Sequence, residues 1–281
     1  MPTQAEKALT FRALHQQAGS FIIPNPWDAG TARILASLGF KALASTSAGY
    51  AFSLGQLDNT VARAPMMQHL AELAAATGLP LNADLGNGFG DSPEAVVQAI
   101  ALAAAAGVVG GSIEDSTQRK DAPVYPLAQA AERIRAASEA ARALPFAFTL
   151  TARAENYFIG KPDLADTIAR LQAYQEAGAD VLYAPGLKTA EDIAQVLRSV
   201  DRPVNVLMGT KGFQLSVQTL TELGVKRIST GGSLALAALG AFVRAAKELQ
   251  EQGSFGYADE ALTGREIYQL LRVKSPTAEQ Y

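Results

Sequence analysis

Eight times along the chain a short apolar run is followed by a longer segment of helical character, and several of those segments end at a glycine. The runs cover 21–24, 42–46, the stretch closing at Asp84, 111–115, 147–151, 181–183, 203–207 and 227–230. Helical patterns fill the intervals at 29–38, 65–77, 93–106, 127–144, 164–177, 190–199, 216–223 and 234–250, with one more, 5–17, in front. Buried strands alternating with helices predict a parallel sheet. Eight such units predict closure into a (β/α)8 TIM barrel. An open doubly wound sheet would place a glycine-rich phosphate loop after its first strand. Pro24-Asn25-Pro26-Trp27 stands there instead, and Asn87-Gly88-Phe89-Gly90 holds only a GxG. The whole chain, 1–281, therefore reads as one barrel domain, with 253–281 as a C-terminal extension that packs on a partner subunit.

Composition narrows the function. A net charge of -3 offers no basic face for nucleic acid. No apolar run approaches the roughly 20 residues that span a bilayer. Residues 1–17 lack the apolar core of a secretion signal, so a cytoplasmic setting is expected. With no cysteine and two histidines, His15 and His69, both in helical patterns, zinc is not expected. A metal here is a hard, oxygen-bound cation.

The stretch around Asp84 is the most informative. An apolar run stops at this acid and turns through Gly86, Gly88 and Gly90, and Ser92-Pro93-Glu94 then begins a helix. In a barrel, residues at the carboxyl ends of different strands face one mouth. Those residues are Trp27 and Asp28, Ser45 and Ser47, Asp84, Glu114 and Asp115, Arg153 and Glu155, Tyr183, Asn205 and Thr230. Carboxylates with water make a magnesium site. An arginine opposite them grips a substrate carboxylate bidentately. Backbone N–H groups of a Ser/Gly loop receive a carboxylate or enolate oxygen. The set describes a site for a small di- or tri-acid reacting through an enolate beside a metal. Structural readings compete: Asp84 as a turn cap, Glu114 and Asp115 in a buried ion pair, Arg153 paired for stability alone. Trp27 and His69 read as packing residues, and Glu132, Arg133 and Arg135 as a solvated helix face.

These residues resemble the isocitrate lyase and phosphoenolpyruvate mutase superfamily over about 21–239. The most specific matches are 45–49, 53–58, 83–90, 113–115 and 151–153, in that order and spacing. The resemblance implies a magnesium-dependent barrel enzyme (manganese being the alternative ion), a homodimer or homotetramer with a swapped last helix. It implies Asp84 and Glu114 at the metal. It further implies Ser45, Thr46, Ser47, Arg153 and Asn205 on the substrate, and Asp58 and Lys120, with Arg153, in the chemistry. Two departures stand out. Gly86 replaces an acid often found there, and Gln118-Arg119-Lys120-Asp121 replaces the cysteine-bearing loop of isocitrate and methylisocitrate lyases.

The expected activity is magnesium-dependent cleavage or formation of a C–C bond in a small carboxylic acid, through a 2-oxo acid enolate. The ligand is then a 2-oxo acid or a di- or tricarboxylate. The alternatives are oxaloacetate or phosphonopyruvate hydrolysis, P–C bond transfer by a phosphonomutase, or 2-oxo acid binding without catalysis.

Overall fold

The computed structural model describes residues 1–272. Eight parallel strands are ordered β1-β8-β7-β6-β5-β4-β3-β2. They are β1 (Phe21–Ile23), β2 (Leu43–Ala44), β3 (Leu81–Asp84), β4 (Gly110–Glu114), β5 (Thr149–Arg153), β6 (Val181–Tyr183), β7 (Val204–Leu207) and β8 (Arg227–Ser229). Between the outermost pair, the Ala44 N–H donates to the Pro24 carbonyl at 3.1 Å, so the barrel all but closes.

The helices are α1 (Gln4–Gln16), α2 (Ala29–Ser37), α3 (Ser47–Ser53), α4 (Arg63–Ala76), α5 (Pro93–Ala105), α6 (Leu127–Arg142), α7 (Leu164–Glu176), α8 (Ala190–Ser199), α9 (Val217–Leu223), α10 (Ser233–Gln252) and α11 (Gly264–Leu271). Local chemistry sets where they start. Ser92 caps α5 with Pro93 in its first turn, as its sequence predicts. Asp28 forms a capping box with Thr31 at the head of α2, which commits that mouth residue to structure.

One core lies between the strands and the outer helices. A second closes the lower end of the barrel, where Phe11 and Leu14 of α1 meet Phe21, Ile23 and Val109. Gly110 permits this closure: a Cβ there would sit 2.9 Å from Phe11 Cε1 and 2.9 Å from Asn82 Oδ1.

Three expectations need correction. The serine- and glycine-bearing segment after the second strand is a helix, α3, capped by the Thr46 hydroxyl. β5 lies two residues later than its apolar run, ending at Arg153, because the backbone pairs with β4 and β6 in that register. Arg133 is not on a solvated face; it is 1% exposed. Its Nη1 donates to the Gly90 carbonyl at 2.7 Å, its Nη2 to that of Asn87, and its guanidinium lies 4.3 Å over the Tyr125 ring.

α10 leaves its own barrel. Ala235 is its only buried residue, and Leu236, Leu239, Phe242 and Val243 are exposed. Residues 273–281 of the C-terminal extension lie outside the described residues.

Candidate active site

β3, β4 and β5 end side by side, and their register sets Asp84 beside Ser112, and Glu114 beside Arg153. Arg153 is the hub. Its Nη1 lies 2.9 Å from Asp84 Oδ1 and 3.3 Å from Glu114 Oε2, and its Nε lies 2.9 Å from Glu155 Oε1. Its guanidinium also sits 5.2 Å from the centre of the Tyr183 ring. A single cation thus faces three carboxylates in a largely dry setting.

The charges respond accordingly. Burial raises the Glu114 carboxyl well above the ordinary range; the Arg153 charge opposes this, and Glu155, Asp84 and Asp115 add to it. Burial raises Glu155 too, again against the pull of Arg153. Arg153 itself is held firmly protonated, because Glu155, Glu114 and Asp84 outweigh its desolvation.

The β2–α3 junction forms the facing wall. Ser45 Oγ accepts from the Asp84 N–H at 2.8 Å, and the Ser47 N–H donates to Asp84 Oδ2 at 3.1 Å. Ser47 Oγ donates to Asp58 Oδ1 at 2.9 Å, which brings Asp58 to the rim. Burial raises the Asp58 carboxyl, partly offset by that hydroxyl. Thr46 is occupied as the α3 cap, accepting from Gly49 N–H at 3.1 Å. Trp27 packs there: a Cβ on Gly49 would come within 3.0 Å of Trp27 Cβ.

Ser45, Thr46, Ser47, Asp58, Asp84, Glu114, Arg153 and Asn205 all line one cavity of about 320 Å³. Asn205 is anchored within it, accepting from Arg227 Nε at 2.8 Å and donating to Ser229 Oγ at 2.9 Å. Lys120 does not line the cavity. It is exposed in the β4–α6 loop, whose Arg119 is paired with Asp91 at 2.6 Å. Asp115 also turns away from the cavity. Arg170 at 2.9 Å and Tyr174 at 2.5 Å both donate to its Oδ2, and its Oδ1 accepts from the Glu155 N–H at 2.8 Å.

Sequence reasoning missed Arg227. It spans the barrel from β8, donating through Nη2 to Thr151 Oγ1 at 3.0 Å, and its buried Nη1 has no partner. Burial, with the nearby Arg153 charge contributing, pulls its pKa down to about 10. The available signal was strand parity: Arg227 and Ser229 share one face of β8, and that face points inward.

No three His, Cys, Asp or Glu side chains among the described residues are placed to share one metal ion. Magnesium keeps several waters and takes one or two carboxylates plus substrate oxygens, so a pair of acids is enough to hold it. Hard oxygen donors outnumbering the local cation supply the matching charge, so Asp84 and Glu114 fit such an ion.

An eight-stranded parallel barrel here gathers acids and an arginine at the carboxyl ends of its strands, the end where enzymes of this fold carry their chemistry. The chain belongs to the phosphoenolpyruvate phosphomutase family, whose pattern it matches over residues 11–250, within the isocitrate lyase and phosphoenolpyruvate mutase superfamily of magnesium-dependent lyases and mutases. A Burkholderia cenocepacia J2315 protein, assigned only as far as lyase/mutase, is 60% identical, with a TM-score of 0.94 over 96% of this chain and 97% of that one. The Mycobacterium tuberculosis H37Rv protein Rv1998c is 32% identical over 244 residues, 86% of this chain and 90% of its own. Oxaloacetate decarboxylase of Pseudomonas putida GB-1 is 28% identical over 254 residues, 85% of this chain and 84% of its own. No helix among the described residues is long and apolar enough to cross a membrane.

Proposed function

We infer that the protein cleaves a C–C bond in a small 2-oxo or 2-hydroxy acid through an enolate, with a 2-oxo acid among the products. The observation carrying this reading is Arg153 held by Asp84, Glu114 and Glu155 on a cavity wall. A guanidinium fixed on three sides is preorganised to take substrate carboxylate oxygens without losing rotamer freedom. The family's lyases and mutases support the reaction class, and the P. putida decarboxylase is a relative that breaks a C–C bond.

Asp84, with Glu114 directly or through water, would hold a magnesium ion, which would supply Lewis-acid polarisation of the substrate's keto and carboxylate oxygens. The chain's own groups do the rest. Arg153 binds and orients the carboxylate. The Ser45 hydroxyl and the Ser47 N–H hold the Asp84 backbone and carboxylate in place. As the C–C bond breaks, its electron pair becomes an enolate. When a 2-oxo acid loses carbon dioxide, it is the enolate of the released 2-oxo acid. When a 2-hydroxy acid passes its hydroxyl proton to a carboxylate of the mouth and becomes the 2-oxo acid, it is the enolate of the departing carboxylic acid. The enolate carbon then takes a proton. Asp58, kept protonated further up the pH scale by burial, is positioned to give that proton. Lys120 reaches the mouth only if the loop bearing Arg119 swings over.

The test is an assay panel of oxaloacetate, 2-methylisocitrate, isocitrate and phosphonopyruvate, with and without EDTA. Asp84→Asn should abolish magnesium-dependent turnover, as EDTA should in the unchanged protein. Full activity in both would end the reading. Release of phosphate from phosphonopyruvate alone would favour the P–C alternative. Binding of 2-oxo acids without turnover would favour a binding protein.

The exposed apolar face of α10 further supports a homodimer or homotetramer in which that helix packs on a partner subunit, whereas α11 of the C-terminal extension packs on α2 of its own chain.

A further inference from the structure

Three arginines converge at the lower end of the barrel, opposite the mouth. Arg12 comes from α1, Arg142 is the last residue of α6, and Arg202 stands two residues before β7. Arg12 and Arg202 line two adjoining cavities there, of about 200 and 500 Å³, and Arg142 lines the larger. Thr149, Val181 and Pro203, at or next to the starts of β5, β6 and β7, wall the smaller one. Thr149 and Arg153 are the two ends of β5, about 13 Å apart along the strand. Neither lower cavity shares a lining residue with the Arg153 cavity.

The charges at this end are not balanced. Asp180 is the one acid among the residues lining the two cavities, and its Oδ2 accepts from the Leu150 N–H at 2.8 Å. Desolvation raises the Asp180 carboxyl, opposed by that N–H and then by the charges of Arg12, Arg202 and Arg142. Yet none of the three arginines forms an ion pair with Asp180, or with any other acid among the described residues. The acids nearest to them in sequence, Glu139 and Asp201, line neither cavity, and the Asp201 N–H is turned to Gln175 at 2.9 Å. All three arginines are exposed. Gly178 makes room for one of them: a Cβ there would come within 2.8 Å of Arg142 Nη2. Buried His15 also lines the smaller cavity, and its Nε2 has no partner. Three guanidinium charges against one carboxylate leave an excess of two on a concave surface, which repels itself until an anion arrives.

Arginine at all three positions narrows the anion. Its planar fork meets two phosphate oxygens at once, which an ammonium cannot do. A phosphate monoester carries about -1.5 to -2 charges near pH 7 and three strong acceptor oxygens, matching the excess in charge and in donors. Leu144, Pro145 and Phe146 line the larger cavity and offer apolar surface to the organic part.

We propose that the lower end of the barrel is a binding site for a small phosphate monoester, gripped by Arg12, Arg142 and Arg202. It stands apart from the mouth and does not depend on what reacts there.

The experiment is calorimetric titration of the full chain with phenyl phosphate, in EDTA so that no divalent ion ties the probe to the mouth. The unchanged protein should saturate with a Kd below about 1 mM. Arg12→Gln and Arg202→Gln should each weaken the probe about tenfold or more, with helix content by circular dichroism unchanged. Arg33→Gln, an exposed change on α2, should leave it within about twofold. Benzoate keeps the ring but has one charge and two oxygens, so it should bind about tenfold more weakly or worse. No saturation by about 10 mM probe would overturn the site. Equal weakening by Arg33→Gln would reduce it to diffuse surface charge. Undiminished binding in both lower-end variants would put the probe elsewhere, and benzoate binding as tightly as phenyl phosphate would remove the phosphate.

Discussion

Arg153 and Asp84, 69 residues apart in the chain, meet with Nη1 2.9 Å from Oδ1. Glu114 and Glu155 share the same guanidinium. Removing a buried cation from acids that depend on it leaves them uncompensated. Arg153→Met should therefore cost about 3–5 kcal/mol of stability, read from urea denaturation, and should abolish oxalate binding. Arg153→Lys keeps the charge but loses the fork, so it should fall between. A loss below about 1 kcal/mol would mean the acids reach water on their own.

Arg133 tests whether the loop after Asp84 is held from outside the mouth. Arg133→Met removes the donors to Gly90 and Asn87 and orphans two carbonyls. The expected cost is about 1–3 kcal/mol. Amide exchange should accelerate at residues 86–91 more than in β5. Uniform exchange would show that the loop holds itself.

His15 gives a pH prediction. Burial, with Arg227 and Lys226 nearby, lowers its pKa from 6.5 to about 3, so the fold favours the neutral ring. The folded state then binds fewer protons than the unfolded one. Its contribution is intact above pH 6.5 and is lost as pH falls toward about 3. One such group makes a slope of about 1.4 kcal/mol per pH unit. His15→Phe, seated between Phe11 and Phe21, should flatten that part of the stability profile relative to the unchanged protein. An identical slope would show that His15 does not titrate with unfolding.

The α10 face predicts assembly. The unchanged protein should sediment as a dimer or tetramer. Phe242→Asp, placing a charge at a residue that is 68% exposed in the single chain, should shift it toward monomer without loss of helix content. A monomeric unchanged protein would remove the partner from the account.

Much of the barrel was legible because its signals are local. Apolar runs, glycine stops and caps such as Ser92 are each read within a few residues, and every strand was found from them. The strand carrying Arg153 was placed two residues early, since register is set by β4 and β6 rather than by its own residues. The serine and glycine after the second strand predict a loop because both have weak helix propensity, yet Ser47–Ser53 is a helix. The Thr46 cap and packing beside Trp27 overrode it.

The mouth was partly legible. Strand-end positions picked out Asp84, Glu114 and Arg153, and the structure brings their side chains together. Asp58 could be set near them only through resemblance, and it arrives through Ser47. Arg133 and Arg227 escaped because a charged residue in a helix or strand pattern reads as solvated. Only tertiary packing supplies the carbonyls and amides that let such a charge be buried.

The chain's own order of residues determined the number of strands, their parallel arrangement and the acids at their ends, because hydrophobic period and turn chemistry act over short distances. Which acids share one cation, which arginines are buried, and which side chains line the common cavity were decided only in three dimensions. Those outcomes depend on contacts between segments tens of residues apart, whose energies come from burial and geometry that no local pattern encodes.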